Sequence, residues 1–157
     1  MHEASVLLSE ANKQLRTADH LTYVTYPLIK DNKLMISITE SLAEATKKAV
    51  DAVLLYDREY KRIMLIPQDF TSKLEIFRKS CMPRYSINSS YLNLIHDLRE
   101  IQEARKTAKM EFTRQDKFVL SQDNFKLRTL TYQNVKNFVN LTKSFFEKVN
   151  SIIQNVN

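Results

Sequence analysis

Apolar residues recur every three or four positions along most of the chain, which is the period of an amphipathic helix. This spacing predicts a first helix over residues 3–29, which Pro27 kinks or ends because proline removes a backbone donor. A second helix is predicted over about 32–62. Since only a few residues separate these two long helices, we expect them to form an antiparallel hairpin.

Three further helices follow in the pattern. Asp69 is a suitable N-cap for a short third helix, which Pro83 is expected to close, and a fourth helix is predicted from near Ser89. Thr131 is expected to cap a fifth helix over about 132–156. The chain therefore reads as an all-α protein: one domain over 1–157, an antiparallel bundle of about five helices.

The period changes from helical to two-residue alternation between Glu111 and Leu130. Phe118 and Leu120 alternate with their neighbours, a turn-forming Ser-Gln-Asp-Asn tetrad follows, and Phe125, Leu127 and Thr129 then alternate in the same way. This pattern predicts a short β-hairpin near 117–130 that projects from the bundle.

The chain contains no glycine. Phosphate-binding loops, dinucleotide fingerprints and EF-hand turns each need a residue without Cβ, so these classes of site are excluded. Helix C-termini also favour glycine in the left-handed conformation, and asparagine is its usual substitute. The absence of glycine therefore argues against an all-β fold, whose tight turns depend on glycine, and favours helices whose C-terminal caps can use asparagine.

Metal and membrane chemistry find little support in the composition. The three histidines and single cysteine (Cys81) include no Glu-x-x-His pair for a bundle-core metal site, so no metal or cofactor is expected. The longest apolar runs have four residues, far below the ~20 that span a bilayer, so no membrane association is expected. The single cysteine and the absence of an apolar leader favour a cytoplasmic location.

Positive charge is concentrated in the later part of the chain. Residues 1–60 carry seven Lys and Arg against nine Asp and Glu, whereas residues 61–157 carry seventeen against nine. A projecting hairpin rich in cations can lie along a phosphate backbone. The candidate nucleic-acid-binding residues are Arg114, Lys117, Lys126 and Arg128. The alternative is that these side chains form only a solvated basic surface.

The apolar face of the fifth helix is wider than one stripe. A single bundle covers one stripe of a helix, so the excess apolar surface predicts a homodimer. The candidate dimer-interface residues are Phe138, Phe145, Phe146, Ile152 and Ile153.

Two long N-terminal helices, further helices and an apolar C-terminal helix resemble the HEPN superfamily of small helical bundles. The segments Ala18–Leu28 and Met110–Arg114, with the stretch up to Leu130, are also similar to a small uncharacterised archaeal family of that shape. The resemblance implies a dimer, and many members of the superfamily are ribonucleases with an Arg-x4–6-His motif on a late helix.

The chain departs from that motif, because its fifth helix contains neither arginine nor histidine. The superfamily's catalytic residues are therefore not carried over, and no catalytic residue is assigned. The sequence favours a non-catalytic helical interaction module that self-associates and binds a protein or nucleic-acid partner. The alternative is a HEPN-like ribonuclease or toxin whose non-standard active site, formed by His96 and Arg99, assembles at a dimer interface.

Overall fold

The computed structural model describes residues 2–122 and 126–154, and within them the chain forms five helical segments and one three-stranded sheet. The all-α bundle with a short β element is confirmed. The elements are α1 His2–His20, α2 Tyr26–Ile29, α3 Leu34–Glu59, α4 Phe70–Ile76, α5 Met82–Tyr85, α6 Ser89–Thr107, β1 Met110–Arg114, β2 Lys117–Ser121, β3 Leu127–Thr131 and α7 Tyr132–Ile153. None of the helices in these ranges is sufficiently long and apolar to cross a bilayer.

Two of the helical segments continue through a proline by means of a π-helical turn. The turns Leu21–Thr25 and Phe77–Cys81 join α1 to α2 and α4 to α5. In each turn the residue before the proline donates its N–H to the carbonyl five positions earlier, which widens the helix where the proline ring would clash. The prediction that Pro83 closes its helix is therefore wrong, because the helix continues through Pro83 to Tyr85.

Left-handed backbone conformations occur at four described residues: Lys30, Lys61, Ser86 and Gln115. Lys30 and Ser86 end α2 and α5. Lysine and serine, and not asparagine, thus occupy the left-handed caps of these two helices. Because none of these residues lacks Cβ, each conformation costs about 1–2 kcal/mol.

The buried apolar residues form one contiguous core, with α1, α3 and α7 in mutual contact. Salt bridges show that α1 and α3 run antiparallel, because Glu3 pairs with Arg58 and Glu10 pairs with Lys48. The predicted caps are also present: Asp69 accepts from the Ser72 N–H at 2.9 Å, and Thr131 accepts from the Asn134 N–H at 3.1 Å.

The sheet has strand order β1-β2-β3 with both pairs antiparallel. The β2–β3 pairing confirms the predicted hairpin, whose turn residues 123–125 lie outside the described residues. β1 was not predicted, because the sequence pattern indicated only the two strands of the 117–130 hairpin. Its neighbouring Arg105 binds Glu40 of α3 and Glu111 of β1, each at 2.9 Å, which ties the sheet edge to the bundle.

Candidate nucleic-acid interface

The two faces of the sheet differ in character because side chains alternate along each strand. Phe118, Leu120 and Leu130 point towards the helices and are fully buried in the core. The opposite, outer face carries the alternate positions of the same strands. These are Met110, Phe112, Arg114, Lys117, Val119, Ser121, Leu127, Thr129 and Thr131.

The outer face contains two cations and no carboxylate among these positions. Arg114 of β1 stands directly opposite Lys117 of β2 in the antiparallel register. Neither side chain forms a salt bridge with any carboxylate in residues 2–122 or 126–154. Like charges that face each other across two strands destabilise the pair, so this arrangement favours an anion from outside the chain.

Asp116 is the acidic residue closest in sequence to this pair. It lies in the β1–β2 turn, where the Gln115 carbonyl accepts a hydrogen bond from the Asn32 side chain at 3.0 Å. Asn32 in turn accepts from the Tyr26 hydroxyl at 2.7 Å. Burial, and then the negative charge of Asp116, raise the pKa of Tyr26. The turn is thus attached to the first helical segment.

A depression of about 280 Å³ lies on the outer face next to the two cations. Its lining includes Phe112, Val119 and Leu127 together with Arg114 and Lys117. Val119 lies on the central strand and is only 5% exposed, whereas Phe112 is 36% and Leu127 60% exposed. The depression therefore combines an apolar floor with a rim that carries positive charge.

The other two predicted cations, Lys126 and Arg128, lie in a different groove. This groove, of about 550 Å³, runs between α6 and β3, and its lining also includes His96 and Arg99. Arg128 forms a salt bridge with Glu100 at 3.5 Å. The structure therefore divides the four predicted nucleic-acid-binding residues between two surfaces instead of placing them along one strip.

The structure brings His96 and Arg99 into the same groove within one chain. His96 is exposed, one helical turn before Arg99 on α6. Arg99 donates to the Thr71 hydroxyl at 2.9 Å, and its guanidinium carbon lies 5.1 Å from the centre of the Phe70 ring. The arginine is thus held against α4 while it lines the same groove as His96.

The predicted dimer-interface residues belong to the core of the chain itself. Phe145, Phe146, Ile152 and Ile153 are buried, and Phe138 is partly buried against the core. The reason is that α7 contacts α1, α3 and α6, so several helices cover its wide apolar face. The apolar surface from which a dimer interface was predicted is therefore largely covered within one chain. Homodimerisation stays a prediction, now without an assigned surface.

A buried polar cluster around Asp57 was not predicted from the sequence. The Asp57 carboxylate, fully buried on α3, accepts from the Arg84 guanidinium, the Tyr85 hydroxyl and, at 3.2 Å, the Cys81 thiol. Arg62 lies 3.6 Å from the same carboxylate and donates to Tyr85 at 2.8 Å. In the sequence, the signal for this cluster is the position of Asp57. It lies four residues after Val53 and therefore on the apolar side of its helix.

This cluster keeps the Cys81 thiol and the Tyr85 hydroxyl protonated. Burial, and then the hydrogen bond to Asp57, raise the pKa of the Cys81 thiol. The same two causes raise the pKa of Tyr85. A buried thiol with a raised pKa is a poor nucleophile. The cluster is therefore better suited to holding α5 against α3 than to covalent chemistry.

Compared with protein-family models, with curated proteins and with solved structures, the chain finds no match. The HEPN resemblance therefore stays a hypothesis. Within the part of the chain that the structure describes, no group of three or more His, Cys, Asp or Glu residues could hold a metal ion.

Proposed function

We propose that the protein is a non-catalytic helical module that binds nucleic acid through the outer face of its sheet. The observation that supports this most is the Arg114–Lys117 pair, two cations opposed across β1 and β2 on a face whose described strand positions carry no carboxylate. A phosphate between the two side chains would remove their repulsion and accept hydrogen bonds from both.

Phosphate contacts of this kind make binding depend on salt, because each neutralised phosphate releases condensed counterions. For single strands the slope of log affinity against log salt is about 0.7 per contact. Two contacts should thus contribute about 1.4 to the slope. Binding should vary little with base sequence, because phosphate contacts carry no sequence information.

The test compares two double variants that remove the same charge. In Arg114→Ser/Lys117→Ser the proposed site is lost, whereas Lys13→Ser/Arg16→Ser removes two exposed cations from α1. Affinity for unrelated single-stranded RNAs is measured by fluorescence anisotropy from low to moderate salt. We expect the first variant to bind more weakly with a slope flatter by about 1.4, and the α1 variant to retain the parent slope.

Two results would contradict the proposal. One is an unchanged affinity and slope in the sheet variant, and the other is an equal loss in both variants, which would indicate only a response to net charge. A third variant, Lys126→Ser/Arg128→Ser, tests how much the two cations of the groove contribute to the affinity for RNA. We expect a smaller effect there, since Arg128 already pairs with Glu100.

The ribonuclease remains as a second candidate because His96 and Arg99 line one groove with Lys126 and Arg128. A histidine can act as a general base, and an arginine can stabilise the charge that develops on a phosphate. Purified parent and His96→Ala proteins are incubated with RNA. Reproducible cleavage that the substitution abolishes would replace the non-catalytic proposal, and intact RNA with both proteins would support it.

A further inference from the structure

The outer sheet face carries an aromatic side chain that the core does not need. Phe112 lies on β1, an edge strand whose five residues are all exposed, and it is on the face opposite to the core side chains Phe118, Leu120 and Leu130. Its cross-strand partner is Val119. The ring therefore forms the edge of an apolar surface that faces solvent.

This apolar surface adjoins the two cations in a fixed order along the strands. Arg114 and Lys117 form one row, Phe112 and Val119 the next, and Met110 with Leu127 the third. Met110 is 62% and Leu127 60% exposed. Successive rows are about 7 Å apart, twice the rise per residue of a strand. A ligand that bridges them needs an anionic group next to a flat apolar one.

We infer that this surface selects single-stranded nucleic acid, an inference that rests on the proposed function. One base stacks on Phe112, and the sugar-phosphate backbone of the same strand lies on Arg114 and Lys117. A depression of about 280 Å³ is too small for most drug-sized ligands, but its apolar floor suits one flat heterocycle. Every base has a π-face, so stacking tolerates any sequence.

A duplex cannot use the aromatic part of this site. Its bases are paired and stacked, so their faces are closed to Phe112, and only its phosphates can reach the two cations. Phe112, Met110 and Leu127 would then stay in water. The surface should therefore bind a single strand more tightly than a duplex of the same length, by the contribution of the stacked base.

The experiment separates base stacking from charge with three probes of one length: a single-stranded DNA, the duplex, and an abasic strand that keeps every phosphate. Phe112→Ala is compared with Tyr60→Ala, which removes another exposed aromatic side chain, far from the sheet in sequence. We expect Phe112→Ala to weaken binding of the single strand about 5- to 140-fold, equivalent to roughly 1–3 kcal/mol for one stacked base. Binding of the duplex and the abasic strand should change less than about twofold, and Tyr60→Ala should match the parent.

A gain-of-signal variant provides a second readout. The chain has no tryptophan, so Phe112→Trp introduces a single indole. We expect its fluorescence to be quenched by the single strand and unaffected by the abasic strand. This measurement remains informative even if Phe112→Ala loses stability, since the larger ring preserves the aromatic surface.

The outcomes distinguish the two proposals. Equal affinity of the parent for single strand and duplex, with no effect of Phe112→Ala and no quenching, would overturn the inference and leave phosphate binding intact. No binding of any nucleic acid would overturn both. Binding of poly-glutamate as tightly as the single strand would indicate an acidic protein partner and would also overturn both.

Discussion

Asp57 is the residue whose replacement should destabilise the protein most clearly. Its carboxylate is fully buried and accepts hydrogen bonds from Arg84, Tyr85 and Cys81, so Asp57→Ala removes the common acceptor of three donors. Removing one partner of a buried ion pair typically costs about 3–5 kcal/mol, because the remaining groups lose their compensation. Arg84 retains 33% exposure and regains some hydration, which favours the lower end, about 3 kcal/mol.

The matched control for this substitution is Asp51→Ala on the same helix. Asp51 pairs with Lys73 at 3.0 Å through its buried Oδ1, but the two side chains as a whole keep 27% and 20% exposure. A partly exposed pair of this kind contributes about 1 kcal/mol. The two variants thus remove the same side chain from α3 and differ mainly in how deeply the carboxylate is buried.

Urea unfolding followed by circular dichroism at 222 nm measures both losses. Domains of this size unfold with about 5–15 kcal/mol, so a loss of 3 kcal/mol shifts the midpoint well beyond experimental error. Equal losses in Asp57→Ala and Asp51→Ala, or a loss below 1 kcal/mol at Asp57, would refute the reasoning. The cluster would then contribute no more than a surface salt bridge.

Two further stability predictions follow from the same structure. The folded state holds the Cys81 proton through burial and Asp57, whereas the unfolded thiol ionises above about pH 8.5, so the free energy of unfolding should fall as pH rises. Cys81→Ser keeps a hydrogen-bond donor that does not titrate in this range. In urea titrations, the free energy of unfolding of the parent should fall by about 2 kcal/mol more than that of Cys81→Ser between pH 7 and pH 10. Parallel plots of unfolding free energy against pH for the two proteins would contradict this. Ser86→Gly should raise the free energy of unfolding by roughly 0.5–1 kcal/mol, because φ at Ser86 is 53° and glycine adopts this angle without strain. Ser144→Gly, within α7, should instead lower the stability. Thermal melts in which both variants shift the melting temperature in the same direction would disprove the strain argument.

Much of the helical architecture was determined locally by the sequence. The apolar period marks the five helical segments, and the caps at Asp69 and Thr131 act within one turn, so their effect is visible in a few adjacent residues. The β2–β3 hairpin is also local, because its two strands follow each other along the chain. Such features depend on short-range geometry that a sequence pattern records directly.

Pairing between distant segments was decided only by the tertiary structure. β1 becomes a strand because β2 supplies its hydrogen-bond partners, whereas its own five residues are exposed and carry little hydrophobic signal. The first helical segment passes Pro27 by a π-helical turn, and the Thr22 carbonyl in that turn accepts a bond from the Tyr132 hydroxyl at 2.6 Å, 110 positions away. Neither partner can be inferred from its neighbours in sequence.

The functional surfaces show the same division. Residue types indicated that Arg114 and Lys117 were candidate cations, but the strand register decided that they face each other on a side whose described strand residues include no carboxylate. Conversely, the wide apolar face of α7 indicated a partner, and the fold supplied that partner from α1, α3 and α6. A helical pattern of apolar residues predicts that one face of a helix is buried. Only the packing of the whole chain determines which elements cover that face.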